Sequence, residues 1–459
     1  MRLEVRHSYT RIFGATQQEL EVVRKALSYK DPAARFCAAY RAKRWDGMRT
    51  LLVRSRGDAY FPSGLLPDIQ SLVPDATTDD QRVYPYAEPP AVVGPMTLEY
   101  RPYQLDAVSS LLVGRRGILW LPTGAGKTLI MCGVVRSLNL PTLWLTREER
   151  LAEQTAGVIR EQCAMNTAVL QGMPKRDVLP DDLVVVAMVQ TVSRNLRRIG
   201  DWLGRFQVVI SDECHAVGSK TAFRVMMACR APYRYGCSGT PLERADENCL
   251  SLIGATGSVL YHAEFDDLKD YLSRPLVHIL SVPTAKINIP WVTYKLDALE
   301  RGASAAEAEA EATRLYWVEA YELGIVQDGP RNSKIVQLAC DGAAMKQPTV
   351  VFVSRVGHGK ALQEAIAGLI GQENVDYLYG DIPGPARERL WSRLADGSLP
   401  ILVCGDKVGG EGIDVPEIKR IVVASGLKAP IIVKQRIGRS MRPKADNSRP
   451  EVFDFLDRH

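Results

Sequence analysis

Two closely spaced glycines, a lysine and a hydroxyl make Thr123-Gly124-Ala125-Gly126-Lys127-Thr128 the stretch best suited to hold a polyphosphate. Gly124 and Gly126 allow backbone conformations that a Cβ would block, so successive N–H groups can converge on one anion. A helix starting at this point adds its dipole. Lys127 is then placed to reach the β- and γ-phosphates, and the Thr128 hydroxyl to ligate Mg²⁺. The strict phosphate-loop pattern asks for glycine where Leu121 stands. A second constellation is Asp212-Glu213 at the end of the apolar run Val208-Val209-Ile210-Ser211. Asp212 suits a metal held through water, and Glu213 suits polarisation of an attacking water. His215 could couple this pair to Ser238-Gly239-Thr240. Near the C-terminus, Gln435, Arg439 and Arg442 are spaced by four and three, so a helix would carry them on one face. Guanidinium groups presented this way can neutralise charge developing on a γ-phosphate. In the upstream loop, Gly409, Gly410 and Gly412 permit close approach to a ligand, and Asp414 could take a ribose hydroxyl. The chemistry these residues share is Mg²⁺-dependent hydrolysis of a nucleoside triphosphate such as ATP.

Such groups need strands to aim them. Gly117-Ile118-Leu119-Trp120 reads as a buried strand, and the apolar segment from Leu129 as the helix it feeds, which is the context a phosphate loop requires. Further apolar runs at Thr142–Leu145, Leu183–Met188, Val208–Ile210 and Tyr235–Ser238 alternate with helical segments, predicting a parallel sheet. A second alternating set has strands at Thr349–Val353, Val375–Tyr379, Ile401–Cys404, Arg420–Ala424 and Glu451–Phe455. The predicted fold is therefore α/β, with two tandem parallel-sheet domains: 89–280 for the first and 333–459 for the second. Between them, 281–332 holds Ala-Ala-Glu-Ala-Glu-Ala-Glu-Ala-Thr, a helix-favouring run expected to form an exposed helix without chemistry of its own. Residues 1–88 read as a small α+β module, with a strand over Leu3–Ile12, a helix over Gln17–Leu27 and a strand over Met48–Arg54. Prolines and acids over 74–95 read as a linker.

The chain has 459 residues and a net charge of +5, so nucleic-acid binding must be argued from local patches. One such patch lies between Arg35 and Arg56, where seven basic residues, among them Arg41, Lys43 and Arg44, face one acid, Asp46. Tyr40 and Trp45 are interleaved with them, a composition suited to phosphate backbones and exposed bases. A solvated face with Trp45 in a local core would have the same composition. The nine cysteines are scattered, and the spacing of Cys229, Cys237 and Cys249 fits no zinc motif. They predict reduced core thiols in a cytoplasmic protein. Neither a signal peptide nor a membrane-spanning run is visible.

Arg101-Pro102-Tyr103-Gln104, the phosphate loop, Asp-Glu-Cys-His, Ser-Gly-Thr, the Gly-Ile-Asp loop and Gln-Arg-Ile-Gly-Arg-Ser-Met-Arg stand in the order of the superfamily-two helicase motifs. The Leu-Pro-Thr-Gly-Ala-Gly-Lys-Thr loop resembles the version such helicases often use, which accounts for Leu121. Within that superfamily the chain is similar to the phage UvsW-like group of branched-DNA helicases. The similarity rests on Arg44-Trp45-Asp46-Gly47, Phe61-Pro62-Ser63-Gly64-Leu65 and His358-Gly359-Lys360-Ala361.

The resemblance implies RecA-like folds for both motor domains and roles for named residues. Gln104, helped by Arg101, would read the adenine edge. The loop 123–128, Asp212 and Glu213 would form the ATP and Mg²⁺ site. Arg439 and Arg442 would complete it, with Gln435 near the attacking water and Gly412 and Asp414 on the nucleotide. Thr146, Arg147, Gln190, Thr191, Ser354, Arg355, Gly409 and Gly410 would contact nucleic acid, mostly its phosphates and sugars. The implied protein is a monomeric DNA helicase or translocase acting on forks, Holliday junctions or R-loops, the last bringing RNA as a partner, in the host cytoplasm if phage-encoded. Three rivals share these motifs: an RNA helicase, a double-strand translocase of repair or restriction type, and a nucleic-acid annealing module with a weak motor. Gly-Glu-Gly at 410–412, where RNA helicases commonly have Ala-Arg-Gly, speaks against the first. Lys127, Asp212, Glu213, Arg439 and Arg442, all present, speak against the last.

Overall fold

In the computed structural model the described residues are 1–456 apart from 32–33, 35–36, 56, 173–178, 243–248, 274, 283–288, 407–414, 416 and 427–448. They fall into two compact units, Met1–Asp267 and Leu268–His459.

The N-terminal module is built on strands β1 (Arg2–Val5), β2 (Tyr9–Phe13), β3 (Ser28–Lys30), β4 (Met48–Thr50), β5 (Val53–Ser55), β6 (Asp58–Pro62) and β7 (Thr77–Asp80). Five of these form one sheet in the order β5-β6-β2-β1-β7, while β3 and β4 pair separately. The single strand expected over Leu3–Ile12 is instead a hairpin. Its turn is closed by the Arg6 N–H donating to the Tyr9 carbonyl at 3.2 Å, with no glycine or proline to mark it. The expected strand over Met48–Arg54 likewise splits between two sheets. Alternation does the rest: Leu3, Val5, Thr10, Ile12, Ala59 and Phe61 point inward, against Val23 of the helix Gln17–Ala26. Thr16 caps that helix and Glu19 bonds back to it, a capping box.

The predicted linker begins too early, because 77–80 is strand β7, parallel to β1. The following residues lie along the first motor domain. The Tyr86 hydroxyl donates to the Leu138 carbonyl at 2.7 Å, and the Val93 N–H to Ser137 at 2.9 Å.

The first motor sheet holds β8 (Arg116–Trp120), β9 (Thr142–Thr146), β10 (Thr167–Leu170), β11 (Val184–Met188), β12 (Val208–Asp212), β13 (Tyr233–Ser238) and β14 (Val259–His262). It is parallel throughout, in the order β10-β11-β9-β12-β13-β8-β14. All five expected strands are present, because a strand buried on both faces reads as an unbroken apolar run. β10 and β14, which lie at the sheet's edges and are less buried, escaped sequence reading.

The second unit contains β15 (Leu276–Leu280), β16 (Thr349–Val353), β17 (Val375–Leu378), β18 (Ile401–Gly405), β19 (Arg420–Val423) and β20 (Glu451–Phe455), in the order β15-β20-β19-β16-β18-β17. β15 corrects the predicted boundary at 280, since it pairs in parallel with β20 in this sheet. Its edge position, with Leu276, Val277 and Ile279 partly exposed, gives no pattern to place it from sequence.

The alanine–glutamate run is the helix Ala305–Tyr321, paired with Trp291–Glu300. Ala308 and Ala312, one turn apart, are buried, while Glu309 and Glu311 pair with Lys295 at 3.2 Å and Arg301 at 2.8 Å. The low complexity thus encodes one small-residue seam flanked by ion pairs.

Candidate nucleotide site and nucleic-acid interface

Parallel sheets present loops at the carboxyl ends of their strands, and ligands bind there. In the first motor domain β12, β13 and β8 are adjacent, and their carboxyl ends carry Asp212-Glu213, Ser238-Gly239-Thr240 and the phosphate loop respectively. Three motifs that lie up to 119 residues apart along the chain therefore meet. That span is the separation of Trp120 from Gly239, whose carbonyl accepts from the Trp120 indole at 3.1 Å.

Gly124 and Gly126 both take positive φ, +88° and +78°, as a loop that turns its N–H groups inward requires. A Cβ on Gly126 would lie 2.5 Å from Gln104 Nε2. Gln104 is buried and its amide is engaged at both ends. Its Nε2 donates to the Ala125 carbonyl at 3.3 Å, and its Oε1 accepts the Arg101 N–H at 3.0 Å. Beside it the Tyr103 hydroxyl donates to the same carbonyl at 2.8 Å, a brace that sequence reading missed. In this structure Gln104 supports the loop. Leu121 is fully buried, and its carbonyl and that of Pro122 accept from Lys127 Nζ at 3.3 and 3.4 Å. A glycine there would give up a core side chain. Thr123 and Thr128 lie half-buried in the loop and the first turn of helix Lys127–Leu138.

Asp212 is almost fully buried; its Oδ1 accepts the Glu213 N–H at 2.9 Å and the Cys237 thiol at 3.3 Å. Cys237 is the direct register partner of Asp212 across β12 and β13, a relation only strand pairing reveals. Burial and the neighbouring Glu213 charge push the Asp212 carboxyl up, against the pull of Lys127. Two carboxylates and one ammonium leave this corner short of positive charge, so the donor set fits a hard divalent cation such as Mg²⁺. Among the described residues no cluster of three or more metal-ligating side chains occurs.

Glu213 adopts a left-handed backbone, φ 46°, unusual for a non-glycine residue. The turn brings its Oε2 to 3.2 Å from both the His215 Nδ1 and the Ser238 hydroxyl. His215 and Ser238 are themselves 3.1 Å apart, and the Thr240 N–H donates to Ser238 at 3.2 Å. Burial opposes ionisation of Glu213, but His215, Lys127 and Ser238 outweigh it and hold the carboxyl below its ordinary range. Glu213 is thus an ionised carboxylate held in one orientation by His215 and Ser238.

His215 has a second environment. With Arg147, Gln190, Ser219 and Thr221 it lines a cavity of about 400 Å³. The exposed candidates Arg147 and Gln190 therefore open onto the residue bonded to Glu213. Thr146 and Thr191, their expected companions, are buried in β9 and the helix Val189–Asn195. In the second unit Ser354 and Arg355 are exposed at the carboxyl end of β16, where Ser354 bonds Asp406 and Arg355 lies over the Tyr321 ring. His358 and Gly359 belong to packing: His358 is buried and meets Asn332 at 2.8 Å, and a Cβ on Gly359 would strike Tyr377 at 2.3 Å.

In the N-terminal module Arg41, Lys43 and Arg44 are exposed. Trp45 is held locally, its indole donating to the Met48 carbonyl at 2.9 Å beneath the Arg49 guanidinium. Arg49 pairs with Asp31, so it does not add to the patch. Gly409, Gly410, Gly412, Asp414, Gln435, Arg439 and Arg442 lie outside the described residues.

Residues 97–243 match the family described as type III restriction enzyme, res subunit, and residues 331–444 match the helicase conserved C-terminal domain. These two matches, one to each motor domain, indicate an ATP-dependent superfamily-two helicase with two tandem RecA-like domains. It is 27% identical over 369 residues to the ATP-dependent DNA helicase uvsW of Enterobacteria phage T4, across 77% of this chain and 68% of that protein. To Rad25 of Halobacterium salinarum it is 28% identical over 374 residues, 79% of this chain and 55% of the relative, so it spans little more than half of that protein. The ATP-dependent type ISP restriction-modification enzyme LlaBIII, solved bound to DNA, shares the fold at a TM-score of 0.57 and 13% identity. That match covers 83% of this chain and 30% of that one.

Proposed function

We propose that the chain is an ATP-dependent DNA helicase or translocase that remodels branched DNA, such as forks, Holliday junctions and R-loops, in recombination, replication and repair. The observation that carries this reading is that Arg147 and Gln190 line one cavity with His215, which in turn bonds Glu213 beside the phosphate loop. A strand pressing on that cavity can move His215, and His215 holds the carboxylate that orients the attacking water. Lys127 neutralises the transferring phosphate, and Thr128 with Asp212 would hold Mg²⁺, which draws charge from the phosphate oxygens when bound. Arg439 and Arg442 would add guanidinium charge at the γ-phosphate, with Gln435 at the water, and Gly412 and Asp414 would contact the nucleotide. Ser354, Arg355, Gly409 and Gly410 would hold the strand.

The similarity to uvsW, a DNA helicase by name, favours DNA over RNA. The exposed Arg41, Lys43 and Arg44, on a module docked to the first motor domain, favour a branched substrate whose second arm such a module can grip. The deciding experiment measures ATPase rate and strand displacement on single strand, blunt duplex, fork, four-way junction, R-loop and RNA duplex. Maximal stimulation and displacement on branched DNA are expected. A maximum on RNA duplex, or hydrolysis on blunt duplex without displacement, would refute the branched-DNA assignment.

A further inference from the structure

At the end of the first motor sheet opposite the phosphate loop, the N-terminal module and the motor domain line an open cleft of about 680 Å³. This lies within the roughly 300–1,000 Å³ typical of small-molecule sites. Its walls are Arg6, His7 and Tyr9 from the β1–β2 hairpin, Tyr60 from β6, Gln81 after β7, and Arg230 just before β13. The hairpin is fastened to the motor: the Ser8 hydroxyl donates to the Cys229 carbonyl at 3.2 Å, and Arg116 donates to the His7 carbonyl at 3.1 Å. The site is therefore built from both modules.

Its charge is compensated only at Arg6, which pairs with Glu4. Among the described residues no carboxylate lines it. The nearby acids are already taken, Glu4 by Arg6 at 2.9 Å, Asp58 by Arg11 at 2.6 Å and Asp80 by Arg82 at 2.6 Å. Arg230 is exposed and has no ion pair among the described residues. Behind the wall stand two guanidinium groups that give hydrogen bonds to carbonyls alone: Arg116 to Thr256 and His7, and the fully buried Arg234 to Ala255, Cys229 and Met226. One Arg116 nitrogen, Nη2, is buried without any partner. Burial and these cations depress the His7 imidazole to about 4, so at neutral pH it offers a neutral, aromatic face. The guanidinium groups of Arg6 and Arg230 and the rings of Tyr9, Tyr60 and His7, all lining one cavity, match a phosphate joined to an unstacked base.

We propose that this cavity docks one unstacked nucleotide of a single strand, with its phosphate on Arg6 and Arg230 and its base against Tyr9 and Tyr60. The inference rests on the DNA-helicase reading and adds a second holding point, remote from the ATP site, for a displaced strand.

The test uses the full chain and a (dT)12 oligonucleotide carrying one 5-iodouracil, photocrosslinked and mapped by mass spectrometry. Crosslinks to Tyr9 or Tyr60 are expected. The double variant Arg6→Gln/Arg230→Gln should bind (dT)12 about tenfold more weakly and lower the salt slope by about 0.7, the loss of one single-strand phosphate contact. A control pair on the helix Gln17–Ala26, Arg24→Gln/Lys25→Gln, should leave both unchanged. ATPase in the absence of nucleic acid should be the same in all three proteins. Equal losses in the two double variants, or crosslinks confined to other surfaces, would overturn the pocket. Thymidine monophosphate competing as well as unlabelled (dT)12 would overturn the strand assignment in favour of a free-nucleotide site. Wild-type ATPase that no DNA stimulates would instead overturn the helicase reading on which the pocket rests.

Discussion

Gly64→Ala should separate the N-terminal module from the motor. Gly64 follows β6 on the face where the module's core, through Leu65, Leu66 and Ile69, meets Phe223, Leu250 and Ile253 of the motor domain. A Cβ at position 64 would sit 1.9 Å from the Ile253 carbonyl oxygen and 2.6 Å from that of Gly254. An ordinary carbon–oxygen contact is near 3.3 Å, so the two backbones would have to part by roughly 1.4 Å. Both obstacles are main chain and cannot rotate away. The backbone at Gly64 is not in the left-handed region, so strain of the residue itself adds nothing. Overpacking of one methyl ordinarily costs about 1–3 kcal/mol. With backbone on both sides, a value at the upper end, near 3 kcal/mol, is expected, enough to favour undocking of a small module. Gly254→Ala is the graded comparison. Its Cβ meets the Pro62 Cβ at 2.9 Å and a movable Leu65 methyl at 3.3 Å, so the cost should be about 1 kcal/mol. Hydrogen exchange should show faster amide exchange across β1, β2 and β6 in Gly64→Ala, with the motor core unchanged. Fork-stimulated ATPase should fall while the DNA-free rate persists. Wild-type protection in Gly64→Ala, or a larger effect in Gly254→Ala, would refute this account of the docking.

Lys127→Ala should abolish ATP hydrolysis with little change in melting temperature, because among the described residues Nζ gives hydrogen bonds only to the loop carbonyls of Leu121 and Pro122; hydrolysis at the wild-type rate would remove the assigned site. Reversing Arg41, Lys43 and Arg44 to Glu should weaken fork binding and reduce the salt slope by about 3 with DNA-free ATPase intact, whereas unchanged affinity would return this patch to a solvated face. His358 supplies a pH dependence. Burial, with Arg331 nearby, lowers its imidazole from 6.5 to about 4, so the folded state holds it neutral. Its stabilisation is complete above pH 6.5 and is lost as pH falls toward 4, where the unfolded chain takes the proton first, a span worth up to about 3 kcal/mol. His358→Asn should flatten the decline in melting temperature between pH 7 and 4.5, and an equally steep decline would refute the assignment.

Residues of the candidate nucleotide site could be singled out in the sequence because local rules apply to them. A loop that must turn inward needs Gly124 and Gly126, and strands buried on both faces must be continuously apolar. The same rules failed where a neighbour distant in sequence decides. The Arg6–Tyr9 turn carries no turn residue and is closed by its pairing within the sheet. β7 and β15 are short or edge strands whose partners, β1 and β20, are remote along the chain. Thr146 and Thr191 look available by motif, yet lie inside the fold.

By itself, then, the sequence determined the class of enzyme, the tandem α/β architecture and which phosphate-loop and carboxylate residues are the candidates for the site. These follow from backbone freedom, apolar periodicity and ionisable side chains at fixed local spacing. The tertiary structure alone decided that Cys237 bonds Asp212, that Gln104 and Tyr103 brace the loop, and that His215 is shared between Glu213 and the Arg147–Gln190 cavity. It also decided that the module and motor together form a cationic, aromatic-lined cleft. Each of these depends on strand order and on the contact of two separately coded surfaces, and no local pattern in a chain carries that information.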